Sequence, residues 1–250
     1  MYMLPAIRRD TVSGVHDMRF VSVWDLPTRI FHWALTVVVA VTIFVEGGEG
    51  GGFVLHATAG YLALWLTAYR LVWGFVGSPR SRFADFVYGW ASVRTYAGRL
   101  LRLAPPRHVG HNPLGGWMVV ALLAVTLAAS ASGLFTGEDG AAGPFVGLVG
   151  GEGLGELHEV LGNLLIVLVV LHLLGVVADI VLTRENLIRA MITGRKLLDD
   201  AAAAAEPPLA GGRRGAALAI VVGLIGGYFY AQWDPTAATT RGQEREDDDD

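Results

Sequence analysis

Residues Leu157 to Leu182 form a predominantly apolar run that nevertheless carries two histidines, His158 and His172, fourteen positions apart. A run of that length matches a hydrocarbon core of about 30 Å, so it predicts a membrane-spanning helix. At about 1.5 Å and about 100° per residue, fourteen residues make nearly four turns, and both imidazoles leave one face about 21 Å apart. One helix thus offers a ligand at each leaflet.

Four further runs have the same character: Arg29 to Val45, Phe53 to Val76, Leu114 to Phe135 and Gly215 to Ala231. The first is long enough only if its helix begins near Pro27. The composition agrees, with 53 % apolar residues, 17 % charged and a mean hydropathy of +0.47, outside the usual range of soluble domains. There is no cysteine. Disulfides, thiolate metal sites, iron–sulfur clusters and covalent c-type haem attachment are therefore excluded, and any metal or haem must be held by histidine, methionine or carboxylate.

Apart from Arg241 and Arg245, every basic residue lies in Met1 to Arg29, Arg70 to Asn112 or Thr183 to Arg214. The connections Glu46 to Gly52 and Thr136 to Glu156 carry only acidic charge. The positive-inside rule then puts the N-terminus in the cytoplasm and, after five crossings, the C-terminus outside. Met1 to Phe20 lacks the apolar core of a secretory signal, so the chain is expected to keep its N-terminus.

Between the second and third runs, Gly77 to Pro113 mixes arginines with Phe83, Phe86, Trp90 and Tyr96, which predicts an amphipathic helix on the membrane surface stopped by Pro105-Pro106. It is either a lipid-anchored face or a contact for a haem propionate or quinone headgroup. Arg184 to Lys196 reads as a second basic, amphipathic piece. Asp199 to Gly212 has the composition of a linker, and Asp234 to Asp250 that of a disordered acidic tail. The expected organisation is a cytoplasmic segment 1–20, a four-helix unit 21–198, a linker 199–214, a fifth transmembrane helix 215–231 and a periplasmic tail 232–250.

Of the seven histidines, His16, His108 and His111 fall in polar segments and read as surface decoration. His32, His56, His158 and His172 lie in apolar helices, where an ionisable side chain costs about 2.5 kcal/mol or more and is functional by default. The topology puts His32 and His172 towards the cytoplasm and His56 and His158 towards the outside, one pair at each depth. Two imidazoles from facing helices suit the axial positions of a planar macrocycle. Zinc would need more protein ligands per site, for which only Glu159 and Asp179 are available, and His158-Glu159 lacks the second histidine of a zincin motif.

Gly60 and Gly162 each follow a histidine by four residues, leaving room for a porphyrin or simply for helix packing. Arg70, fourteen residues after His56, could pair with propionates or snorkel to lipid phosphate. Asp179 is expected to pair with an arginine.

The strings VWDLPTRIFHW, LHATAGYLALWLTAYRLVWGFVGSPRSRFADF, GHNPLGGWMVVALL, ELHEVLGN followed by Leu171-His172, and ENLIRAMITGRK resemble the bacterial cytochrome b561 family, which includes the b-type cytochrome subunits of nickel–iron hydrogenases. The likeness spans Val21 to Lys196. It implies an all-α transmembrane fold, a four-helix bundle with two haem b groups, to which this chain appends a fifth helix. It also implies axial ligation by His32, His56, His158 and His172 in the pairs His32/His172 and His56/His158.

A further implication is electron transfer in the bacterial inner membrane between the quinone pool and a periplasmic redox partner, with no nucleic acid involved. The acidic outer loops favour a basic partner such as a c-type cytochrome. Two alternatives stand beside this: superoxide:ubiquinone oxidoreduction, and a membrane anchor for a hydrogenase-like complex. Arg29, Arg70, Arg80 and Arg82 are the candidates for a quinone site.

Overall fold

The computed structural model describes residues 18–45, 51–138, 141–145, 152–207, 209 and 211–233. Expectations for residues 1–17, for the glycine-rich turn at 46–50, for 146–151 and for the tail at 234–250 lie outside the described residues. In chain order the elements are β1 (Met18–Ser22), α1 (Leu26–Phe44), α2 (Gly51–Val76), α3 (Phe83–Phe86), α4 (Trp90–Leu101), α5 (Pro113–Gly133), β2 (Gly137–Glu138), β3 (Ala141–Ala142), α6 (Glu152–Thr183), α7 (Leu187–Thr193), β4 (Arg195–Asp199), α8 (Asp200–Ala205) and α9 (Gly212–Ala231).

Four of these helices, α1, α5, α6 and α9, are long and apolar enough to cross a membrane. The second expected crossing falls on α2, whose 26 residues reach about 39 Å. Its composition is more polar for a visible reason: Tyr61, Thr67, Tyr69, Arg70 and Trp73 are all buried. α2 is the central helix, packed against α1, α5 and α9, so its polar groups meet protein rather than lipid.

α1 starts at Leu26, as its length requires. Asp25 caps it, accepting from Thr28 N at 2.8 Å, and Pro27 occupies the first turn, where its missing N–H costs nothing. The other Asp25 oxygen accepts from Trp73 Nε1 at 3.2 Å, from Ser81 Oγ at 2.8 Å and from Ser78 Oγ. One buried carboxylate thereby fixes the start of α1 against the end of α2.

The fold is mostly helical, and two short antiparallel strand pairs lie outside the long helices. β1 pairs antiparallel with β4 in the register Met18↔Asp199, Phe20↔Leu197 and Ser22↔Arg195. Alternation explains β4: Lys196 and Leu198 point inward while Arg195 and Leu197 are exposed. The basic stretch after α6 is thus a short helix followed by a strand. Gly194 joins them at φ 78°, and its carbonyl accepts from Val23 N and Trp24 N. A Cβ there would stand 2.8 Å from the Trp24 carbonyl oxygen, so only glycine permits this approach.

α9 docks through its own glycines. A Cβ on Gly215 would strike Pro27 at 2.4 Å and one on Gly226 would strike Trp65 at 2.9 Å. Tyr61 Oη donates to the Gly226 carbonyl at 3.0 Å, and Thr58 and Tyr230 share a hydrogen bond of 3.1 Å. Backbone contact of this kind is how helices associate where lipid removes the hydrophobic drive. Upstream, the expected linker contains the end of β4 and α8, and Glu206 just beyond α8 makes an ion pair with Arg80.

Candidate functional site

The polar network at Asp25 sets the rotation of α1 and hence the direction of His32, two turns further on. The His32 ring faces His172 of α6, with ring centres 6.5 Å apart and planes at 56°. The His56 ring of α2 faces His158 of α6, at 6.1 Å and 82°. The four histidines therefore meet in two pairs, and α6 supplies one member of each.

α6 packs along α5, with far sparser backbone contact to α1 and α2. The histidine rings face one another on that side. Gly60 and Gly162, one turn after His56 and His158, border open space, since a Cβ on either would meet nothing within 4 Å. These glycines leave room beside the outer pair rather than admitting a neighbouring helix.

The outer pair has its ring orientation fixed by backbone. His56 Nδ1 lies 3.0 Å from the Val45 carbonyl oxygen, and His158 Nδ1 lies 2.9 Å from that of Ala129. A carbonyl only accepts, so each Nδ1 carries the proton and each Nε2 keeps its lone pair for a metal. Ser132 Oγ adds a contact of 3.2 Å to His158 Nδ1. α5 contributes no histidine, yet its last turns orient one.

The donor set fits haem. A metal–imidazole bond of about 2.0 Å and a ring radius of about 1.1 Å put two axial ring centres about 6.2 Å apart, between the two observed separations. Among the described residues no group of three or more His, Asp or Glu side chains converges to hold a bare metal ion. Asp179, the candidate extra ligand nearest His172 in sequence, instead accepts from Asn112 Nδ2 at 2.8 Å, which also corrects its expected pairing with an arginine.

Arg70 is 2 % exposed, with its guanidinium carbon 5.3 to 6.0 Å from the ring centres of Phe31, Phe83 and Phe86. Its Nη1 is buried without a hydrogen-bond partner. A guanidinium so placed calls for an anion, because a buried donor left unmatched is costly. Snorkelling to the surface is not what this side chain does.

His111 departs from the surface role expected of it. Its ring lies 4.7 Å from Trp24 and 4.6 Å from Phe86, and its Nδ1 is buried without a partner. Burial, then the Arg70 charge, lowers its pKa to about 3. The neighbouring Asn112-Pro113, the cap and first residue of α5, was the available signal that this stretch enters the bundle.

The model of the prokaryotic cytochrome b561 family matches residues 23–194, from just before α1 to the end of α7. The chain belongs to that family. This cytochrome b561 is a multi-pass membrane b-type cytochrome, a protein of electron transport that binds haem b.

A probable Ni/Fe-hydrogenase B-type cytochrome subunit of Azotobacter vinelandii is 28 % identical over 228 residues, covering 76 % of this chain and 94 % of that protein. Its counterparts in Rhizobium leguminosarum bv. viciae and Bradyrhizobium diazoefficiens are 25 % and 27 % identical, over 74 % and 72 % of this chain and 92 % and 87 % of their own. No solved structure matches the cytochrome b561 chain. β4, α8 and α9 lie beyond the residues that the family model matches.

Proposed function

We propose that this cytochrome holds two haem b groups, one between His32 and His172 and one between His56 and His158, and carries electrons across the bacterial inner membrane between the quinone pool and a redox partner. The observation that carries this reading is the pair of ring separations, 6.5 and 6.1 Å, with one histidine of each pair on α6. Haem b supplies a one-electron couple at each position. His32 with His172 and His56 with His158 would hold the two groups, and a pair of protein donors at each would suit electron passage rather than oxygen binding.

The chain's own residues do the rest. The Val45 and Ala129 carbonyls hold the outer imidazoles in one tautomer. Gly60 and Gly162 keep the space beside them clear. Arg70, buried and short of an acceptor, neutralises a propionate of the inner group. α2 is the second of five crossings, the N-terminus is cytoplasmic, and α9 brings the C-terminus to the periplasmic side. The quinone headgroup is expected at the inner end, where the arginines cluster.

The test is haem stoichiometry of the purified protein against His158→Ala and His172→Ala. The expected result is two low-spin haems per chain, with loss of a different one in each variant. A single haem, lost in both, would overturn the two-site arrangement.

For the partner, two readings are separable. The acidic outer loops and tail favour a basic c-type cytochrome, whose exchange rate would fall as ionic strength rises. The names of the relatives favour a hydrogenase-like partner instead, which would show as stable co-purification with a large periplasmic subunit.

A further inference from the structure

The two histidine pairs differ in what stands behind their rings. Behind the outer pair are backbone acceptors: the carbonyl of Val45, which caps α1, lies 3.0 Å from His56 Nδ1, and that of Ala129 in α5 lies 2.9 Å from His158 Nδ1. The inner pair does not repeat this arrangement. His32 Nδ1 is buried, and no acceptor among the described residues reaches it.

Charge is divided in the same sense. Arg70, 2 % exposed, has its guanidinium carbon 6.0 Å from the ring of Phe31, the residue before His32. A buried charge is screened far less than one at the surface. Glu156 and Glu159, on either side of His158 in sequence, bear the opposite sign, but both are exposed and their effect is weaker.

We infer that these contacts set the two haem positions at unequal reduction potentials, the outer lower and the inner higher, with the Val45 and Ala129 carbonyls and the Arg70 guanidinium as the tuning groups. The inference rests on the proposed reading of one haem b per histidine pair. A carbonyl that accepts from Nδ1–H makes the imidazole a stronger donor through Nε2, which favours the oxidised, more positive iron. His32, without that acceptor, lacks the bias. The cation beside the inner pair favours the form that carries the extra electron. Every contribution has one sign, so an electron shared between the positions rests on the inner one, and one that enters from outside passes inward downhill.

The experiment is a potentiometric titration of the full-length, haem-loaded protein, followed by absorbance. Wild type is expected to reduce in two one-electron steps whose equilibrium constants differ about ten-fold, the equivalent of about 59 mV. His172→Ala, which keeps the outer ligands, should retain the lower step, and His158→Ala the higher one. Coupling between the two centres is reciprocal, so its loss in these variants leaves their order unchanged. In the two-haem protein Arg70→Met should lower the higher step alone. Gly133→Ala, whose added methyl presses on the His158 ring, should raise the lower step and alter the ferric electron paramagnetic resonance signal of that haem alone.

Equal potentials in the two histidine variants, or a lower one in His158→Ala, would overturn the ordering, as would Arg70→Met acting on the lower step. Where a histidine variant loses both haems, the Arg70→Met and Gly133→Ala shifts decide by themselves. A single haem in the wild-type chain would instead overturn the two-haem reading on which the ordering rests.

Discussion

The His158 ring lies against Gly133 so closely that a Cβ on the glycine would stand 3.0 Å from His158 Cε1 and 3.3 Å from Nδ1. The same ring is bonded to the Ala129 carbonyl one turn earlier on α5. A helix without a histidine therefore sets the position of one on its neighbour, by an acceptor at one residue and an absent side chain at another.

Gly133→Ala should disturb the outer pair alone. The added methyl displaces the His158 ring by a few tenths of an ångström and strains its bond to Ala129, an overpacking cost of about 1–3 kcal/mol. The expected outcome is reduced loading or an altered spectrum at one of two haem positions, with the other intact. Quantitative haem analysis and reduced-minus-oxidised spectra check it; loss at both positions would mean that the fold, not the site, had failed.

Arg70→Met removes a buried positive charge next to Phe31, the residue before His32. A reduced centre nearby carries one more electron, so loss of the cation destabilises the reduced form. The midpoint potential of one haem is expected to fall by on the order of 60 mV, a tenfold change for a one-electron couple. Arg70→Lys should recover part of the shift. Redox titration decides, and unchanged potentials would separate Arg70 from both haem sites.

His111 predicts an acid limb in the stability profile. Its pKa is about 3 in the folded protein against 6.5 for an ordinary histidine. Between those values the unfolded chain binds a proton that the folded one does not, so stability is complete above about pH 6.5 and is lost as pH falls towards 3. His111→Leu should flatten the fall in Tm across that window, whatever its effect at neutral pH. Thermal unfolding from pH 7 to 4 measures it; parallel profiles would refute the assignment.

Arg80 holds φ at 70°, outside the usual range for a side-chain-bearing residue, and both its Nε and Nη2 bond Glu206, at 3.2 and 2.5 Å. Glu206 is 5 % exposed at its side chain, so this pair is better shielded than a surface bridge. Glu206→Gln is expected to cost about 1–3 kcal/mol. A double-mutant cycle with Arg80→Gln should show coupling, whereas additive losses would mean that the bridge contributes nothing.

The helices and histidine pairs were legible because they depend on local repeats. Apolar length marks a crossing, a fourteen-residue interval returns to one helix face, and Asp25-Leu26-Pro27 spells a helix start. The β1–β4 pairing was not, since Phe20 and Leu197 are joined by a register that no local pattern encodes. His111 was misread for a related reason: its neighbours in sequence are polar, and the Trp24 and Phe86 rings that enclose it come from elsewhere. The Ala129 carbonyl has no sequence signature, because every residue possesses one.

The union of β1 with β4 also imposes an order on biosynthesis. β1 is synthesised before every long helix of the bundle, yet its partner is residues 195–199. Until α6 and α7 have been made and inserted, both edges of β1 stay unpaired. Strand pairing thus acts as a completion signal: it fastens Met18–Ser22 only once every helix that carries a histidine of the two pairs is already in the chain.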